Sequence, residues 1–403
     1  MLVERVEKVK KMGNKKKGIA LFSGGLDSLL AIKLIQKQGI EVIALYIEIG
    51  FEINLQKQEQ LEKIAEELGV KLIIVDKRVE YLEKVLFSPK YGYGKNMNPC
   101  IDCHIFMLQV GFEVMEKVGG DFLITGEVVG QRPMSQRLPI LNLINKTFSN
   151  SQLIVRPLSA KLLPPTLPEE KGWIKREELL AIRGRGRQIQ LQLAKKFGLS
   201  QFQPPAGGCL LTDNSFSKRL RKLAKKGKIT PAEISILRVG RHFEIKNYRI
   251  IVSRKEEENK ILKEYCGERF TIAIPKFPGP VALVEKRDNK IGELNKERNW
   301  EKGIVSKKNE NLEGKKRENL TVNSNLSNKK NISNKNNLSN KKNLSGKTNL
   351  EREGDAREER EISQIVADLI VSYSRFQTGT VFIQNRNLIG YSHSKEEWYP
   401  YLL

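Results

Sequence analysis

Cysteine is scarce, with four residues among 403. That excludes a disulfide framework. In a reducing compartment a close cysteine pair points instead to catalysis or metal binding. Histidine is scarcer still, at three residues. No run approaches the roughly 20 apolar residues of a membrane span, so no membrane partner is expected. Residues 1–17, MLVERVEKVKKMGNKKK, are basic, lack serine and precede no apolar h-region of the kind a signal peptide carries. They read as neither a secretory leader nor a transit peptide, and a cytoplasmic location is expected. Acidic residues also fall short, at 47 against 71 Lys+Arg, for a net charge of +24. Residues 286–360 hold 20 of those basic and 12 of the acidic residues, so most of the excess lies elsewhere. Such an excess calls for a polyanion, nucleic acid ahead of a membrane surface. A general bias toward Lys and Asn is the competing explanation.

What is present has a clear order. GIALFS (18–23), EVIALYIEI (41–49), VKLIIVD (70–76) and DFLITGE (121–127) read as short buried strands. Between them lie helical segments over 28–37 and 103–118, and one marked by Leu61, Ile64, Ala65 and Leu68 at i, i+3, i+4, i+7. Near-continuous apolar strands alternating with helices predict an α/β domain with a parallel sheet covered on both faces. From 151 to 205 the pattern loosens into a proline-rich loop and a basic segment, ELLAIRGRGRQIQLQLAKKFG, read as helical. The expected organisation is a basic extension over 1–17, a first domain over 18–211, and a smaller basic α+β domain over 212–287 and 361–403. Residues 288–360 interrupt the second domain. Leu326, Ile332, Leu338 and Leu344 recur there every six residues, but Lys and Asn stand where a solenoid needs apolar stacking, so a disordered insertion is expected.

Three motifs carry chemistry. The first is SGGLDS (23–28), between the first strand and its helix. Gly24 and Gly25 let the backbone turn close to a ligand. Ser23, Ser28 and the N–H groups of the helix start, with Leu26 and Asp27, form an anion cradle. Asp27 suits it if a cation such as Mg²⁺ shares the site. The second is NPCIDCH (98–104), which puts Cys100 and Cys103 at a helix start, where a lowered thiol pKa is expected. The third is PPAGGCLLTD (204–213), with Cys209 behind two glycines. Cys266, in the helical stretch ILKEYCG, is expected to be a buried core thiol. A zinc site through C-x-x-C-H would draw on His104 only with difficulty, since it adjoins Cys103.

The hexamer SGGLDS resembles the pyrophosphate loop of the PP-loop ATP pyrophosphatases, which implies ATP and Mg²⁺ and adenylation of a substrate. NPCxxC resembles the motif of tRNA 2-thiouridine synthases, and TGEVVGQRPMSQ (125–136) resembles a segment of tRNA 4-thiouridine synthases. Both imply ATP-dependent thiolation of a tRNA uridine, with Asp27, Cys103 and Cys209 as catalytic residues and a cysteine desulfurase or sulfide as sulfur donor. The loop would take the phosphates. Adenine would lie by Tyr46 and Ile47, with Gly126 and Glu127 opposite. Two sulfur arrangements stay open: a persulfide on Cys209 resolved by Cys103, or an iron–sulfur cluster on Cys100, Cys103 and Cys209. The sequence shows neither a THUMP-type segment before the loop nor a rhodanese-like segment behind it. RNA is therefore expected to bind the remainder, where residues 212–286 faintly resemble the RNA-binding portion of NFACT proteins. Lys218, Arg219, Arg221, Lys222, Lys225, Lys226 and Lys228 crowd that stretch. Rival readings are another ATP-dependent ligase or amidase of the superfamily, and a non-catalytic RNA-binding protein.

Overall fold

The computed structural model describes residues 16–52, 57–202, 209–226, 229–267, 269–287 and 349–403. The expectations for residues 1–15, for the two glycines before Cys209, for Lys228 and for the insertion over 288–348 lie outside these residues, while its last stretch, 349–360, expected to be disordered, instead belongs to a helix (Asn349–Ser372).

In the first domain, strands β1 (Lys17–Leu21), β2 (Glu41–Glu48), β3 (Lys71–Asp76), β4 (Phe122–Ile124) and β5 (Ile154–Val155) form a sheet of order β3-β2-β1-β4-β5. Every described pairing in it is parallel. Alternate residues of β2 supply opposite faces. Ile43, Leu45 and Ile47 enter one apolar cluster, and Val42, Ala44 and Tyr46 the other. Helix α1 (Leu26–Gln36) and helix α2 (Lys57–Leu68) cover the second face through Leu29, Ile32, Ile35, Leu61 and Ile64. The first face is covered by the short α3 (Arg78–Tyr81) with its π turn Leu82–Leu86, and by α4 (Cys100–Val118). Strand β5 lies inside the stretch expected to be loop. Two residues are too few for periodicity to reveal, and only pairing with β4 makes them a strand.

The order places β2 on one side of β1 and β4 on the other. The chain therefore reverses direction across the sheet between β1 and β4. A crevice opens there at the carboxyl ends of the strands, the usual ligand position in such sheets. The SGGLDS loop leaves β1 at that crevice, and Gly126 follows β4 on its other side.

A second, antiparallel sheet forms a separate domain. Its order is β11-β10-β8-β9-β7-β6, built from β6 (Arg241–Ile245), β7 (Tyr248–Val252), β8 (Thr271–Pro275), β9 (Ala282–Lys286), β10 (Thr378–Ile383) and β11 (Arg386–Tyr391). Strand β10 pairs with β8, so the chain's last segment and residues 241–286 share one sheet. Four more helices are needed to place the site. They are α5 (Leu138–Asn145), α6 (Gln188–Lys196), α7 (Asn214–Lys226) and α8 (Pro231–Arg238). Phe216 and Leu220 of α7, with Ile234 and Leu237 of α8, pack into the first domain's core beside Phe51.

Candidate active site

The loop is shaped as its residue types demand. Gly24 has φ +71°, the left-handed region that favours glycine. The Ser28 hydroxyl donates to the Gly25 carbonyl at 2.8 Å, and the Gly25 N–H donates to Ser23 Oγ at 3.3 Å. Gly126 passes so close to α1 that a Cβ there would lie 2.6 Å from the Ser28 nitrogen. Asp27, in the first turn of α1, accepts from Gln131 Nε2 at 2.6 Å and lies 3.7 Å from Arg187 Nη2. Its other oxygen, Oδ1, is buried without a hydrogen-bond partner. A buried carboxylate oxygen with an unmet bond fits a cation shared with phosphates.

A cavity of about 400 Å³ joins this loop to the cysteines. Ser23, Gly25, Leu26, Asp27, Ser28, Tyr46, Ile47, Gly126 and Glu127 line it, and so do Cys103 and Cys209. Residues far apart in sequence thus meet at one sheet edge. Cys100 stands at the start of α4, close enough to Cys103 and Cys209 to interact with both electrostatically.

The thiols are not lowered as their helical position suggests. Burial pushes Cys100 up and Cys103 well up, and it pushes Cys209 up to about 12. Desolvation outweighs the helix end; Cys103 and Cys209 pack against the apolar cluster that includes Phe51, Tyr81, Met97 and Phe106. The Tyr81 hydroxyl hydrogen-bonds Cys103 and opposes the rise. Among the described residues, no group of three His, Cys, Asp or Glu side chains is arranged to hold a metal ion. Cys266 is exposed rather than buried. It sits just past the end of a helix (Glu256–Glu264), where the chain turns away from the core.

Charged side chains from distant segments gather at Glu127. His104 Nδ1 lies 2.9 Å from Glu127 Oε1, and Arg156 Nε donates to Glu127 Oε2 at 2.8 Å. Burial pushes the Glu127 carboxyl up, but Arg156 and His104 outweigh it and hold the pKa at about 2. Arg187 and Arg132 also line the cavity. Arg187 comes from the segment read as helical. Helix α6 begins only at Gln188, which leaves RGRGR as a loop beside Asp27. The alternation of Arg with Gly was the available signal, since glycine disfavours helix.

The basic helix α7 is only partly a free surface. Lys218, Lys222 and Lys225 are exposed, and Lys222 pairs with Glu244. Arg219 and Arg221 are half-buried, and Arg219 turns its guanidinium toward the Leu237 carbonyl at 3.4 Å. Lys226 ends the helix. No described helix is long and apolar enough to cross a membrane.

The family model described as "ThiI: Thiamine biosynthesis protein (ThiI)" matches residues 13–161, the segment that holds β1 to β5 and the loop. The parallel-sheet half is thus similar to that family over the residues matched. A second model, "NFACT protein RNA binding domain", matches residues 240–299. Among curated relatives, a protein of Thermoanaerobacter sp. named "tRNA-specific 2-thiouridylase MnmA 2" is 26% identical over 231 residues, covering 52% of this chain and 59% of that protein. One of Sulfurimonas denitrificans, named "tRNA-specific 2-thiouridylase MnmA", is 32% identical over 120 residues, covering 28% of this chain and 35% of that protein. The chain thus spans less than two thirds of these relatives. A solved 4-thiouridine synthetase in complex with RNA and bound ATP is 18% identical, covering 55% of this chain and 52% of that one, with a TM-score of 0.34.

Proposed function

We propose that the chain thiolates a uridine of tRNA at the expense of ATP. The observation that carries this reading is that one cavity is lined by a PP-loop and by two cysteines from distant segments. The family matches to the thiolation branch add to it.

The loop and the start of α1 would take the phosphates of ATP. Asp27 would hold Mg²⁺, which neutralises phosphate charge when bound. Adenine would lie between Tyr46 and Ile47 on one side and Gly126 and Glu127 on the other, all of which line the cavity. The uridine carbonyl oxygen attacks the α-phosphorus and the P–O bond to pyrophosphate breaks, while the base gives up its N3 proton. A sulfur nucleophile then forms the C–S bond as AMP leaves. In the persulfide arrangement, Cys209 takes over the outer sulfur of a cysteine desulfurase persulfide, releasing the desulfurase thiol, and carries it as a persulfide. Cys103 then attacks the inner sulfur of Cys209. That breaks the S–S bond, leaves sulfur on the base, and closes a Cys103–Cys209 disulfide that an external thiol reduces. The NFACT-type domain and the exposed lysines of α7 would grip the RNA.

The test is reconstitution with unfractionated tRNA, ATP, Mg²⁺, sulfide or a desulfurase, and a thiol reductant, read by mass analysis of nucleosides. The expected result is a thiolated uridine with release of AMP and pyrophosphate, lost in Asp27→Ala and Cys103→Ser. An unchanged nucleoside profile with every sulfur source would refute the reading.

A further inference from the structure

Helix α8 stands between the two sheets. Its Ile234 and Leu237 lie in the apolar cluster that includes Phe51 and has Cys103 and Cys209 packed against it. Its Glu233 holds the buried Arg249 of β7 at 2.8 Å, which fixes the helix to the antiparallel sheet. Its last residue, Arg238, turns back toward the cavity. Arg238 Nη2 donates to the Glu52 carbonyl oxygen at 2.6 Å, across 186 positions of chain. The Arg238 carbonyl accepts from Arg254 Nη2 at 3.2 Å. Arg254 follows β7 and is clamped to Glu258 at 2.6 Å.

Glu52 is next to the chemistry. It pairs with Cys209 in an isolated antiparallel bridge, and the Leu210 N–H donates to the Phe51 carbonyl at 2.9 Å. Glu52 and Cys209 both line the cavity. A charged donor on a carbonyl makes a short, directional bond. Arg238 therefore fixes the Glu52 backbone, and the bridge carries that placement to Cys209. The contacts run unbroken from β7 through Arg254 and Arg249 to α8, then to Glu52 and the thiol.

We propose that Arg238 is a positioning residue that couples engagement of RNA by the antiparallel-sheet domain to the placement of the Cys209 thiol in the cavity. The proposal rests on the reading of that domain as RNA-binding and of the cavity as the thiolation site. Its device is a single side chain that reaches from one domain into the catalytic wall of the other.

The experiment uses the full chain and unfractionated tRNA. Iodoacetamide labelling followed by peptide mass analysis gives the rate at Cys209 relative to the exposed Cys266. In the wild type, tRNA should change that ratio by about fivefold or more, the lower range of coupling between sites. In Arg238→Ala the ratio should no longer respond to tRNA, while tRNA affinity stays unchanged. Arg238→Lys, which can still donate to the Glu52 carbonyl, should restore the response. A purely structural role would lower the melting temperature without abolishing the RNA response. An RNA-independent ratio in the wild type overturns the proposal, and so does an equal response in Arg238→Ala. If the ratio responds as stated but no thiolated nucleoside forms, the thiolation reading falls and the coupling stands. If no tRNA binds, both fall.

Discussion

Gly126→Ala should disable the site from behind. The added methyl would lie 2.6 Å from the Ser28 nitrogen, 2.7 Å from the Asp27 carbonyl carbon and 2.9 Å from its oxygen. All three are backbone atoms, so no side chain can swing aside. To restore an ordinary 3.4 Å contact, the first turn of α1 must retreat by about 0.8 Å. Overpacking of this kind costs about 1–3 kcal/mol, or roughly 2–12 °C in melting temperature for a domain of this size. A displacement near 1 Å at a reacting centre costs about 10²-fold in rate. The assays are thermal melting, and AMP release with tRNA, ATP and a sulfur source. Gly267→Ala is the control, since a Cβ there meets nothing within 4 Å. Gly126→Ala that melts with the wild type and releases AMP at the wild-type rate would refute the argument that Gly126 seats the phosphate loop.

Glu127 gives a pH signature. Its pKa in the fold, about 2, lies below the ordinary 4.5, so its contribution is fully present above pH 4.5 and is lost as the pH falls toward 2. The difference corresponds to about 3 kcal/mol. Glu127→Gln should flatten acid unfolding in that window, as followed by circular dichroism. Arg156→Met leaves the buried Glu127 carboxylate with only His104 and Thr125 and should destabilise the domain by up to about 3 kcal/mol in urea titration. Arg249→Met should cost the antiparallel-sheet domain less, because Glu233 would lose its 2.8 Å partner but keep Arg269. At pH 8 without ligands, Cys266 should be alkylated well before Cys103 and Cys209, because it is exposed and the others are half-buried and pushed up.

The parallel sheet was legible because its strands are apolar runs and its helices periodic. Local pattern suffices for β1, β2 and β3, and the SGGLDS loop falls where β1 ends. What escaped depends on contacts between distant residues. Strand β5 exists only through its pairing with β4. Arg187 reaches Asp27 because the RGRGR stretch is a loop, and Arg238 reaches Glu52 across two domains. The thiols misled for the same reason. The helix position of Cys100 and Cys103 is written in the sequence. The apolar cluster with Phe51, Tyr81 and Phe106, against which Cys103 packs, is assembled only by folding.

The central claim is that nucleotide and thiols share one cavity, and protection mapping tests it most directly. Saturating ATP with Mg²⁺ should slow alkylation of Cys103 and Cys209 several-fold and leave Cys266 unchanged. Nucleotide that binds but protects none of the three cysteines, or all of them equally, would contradict the account.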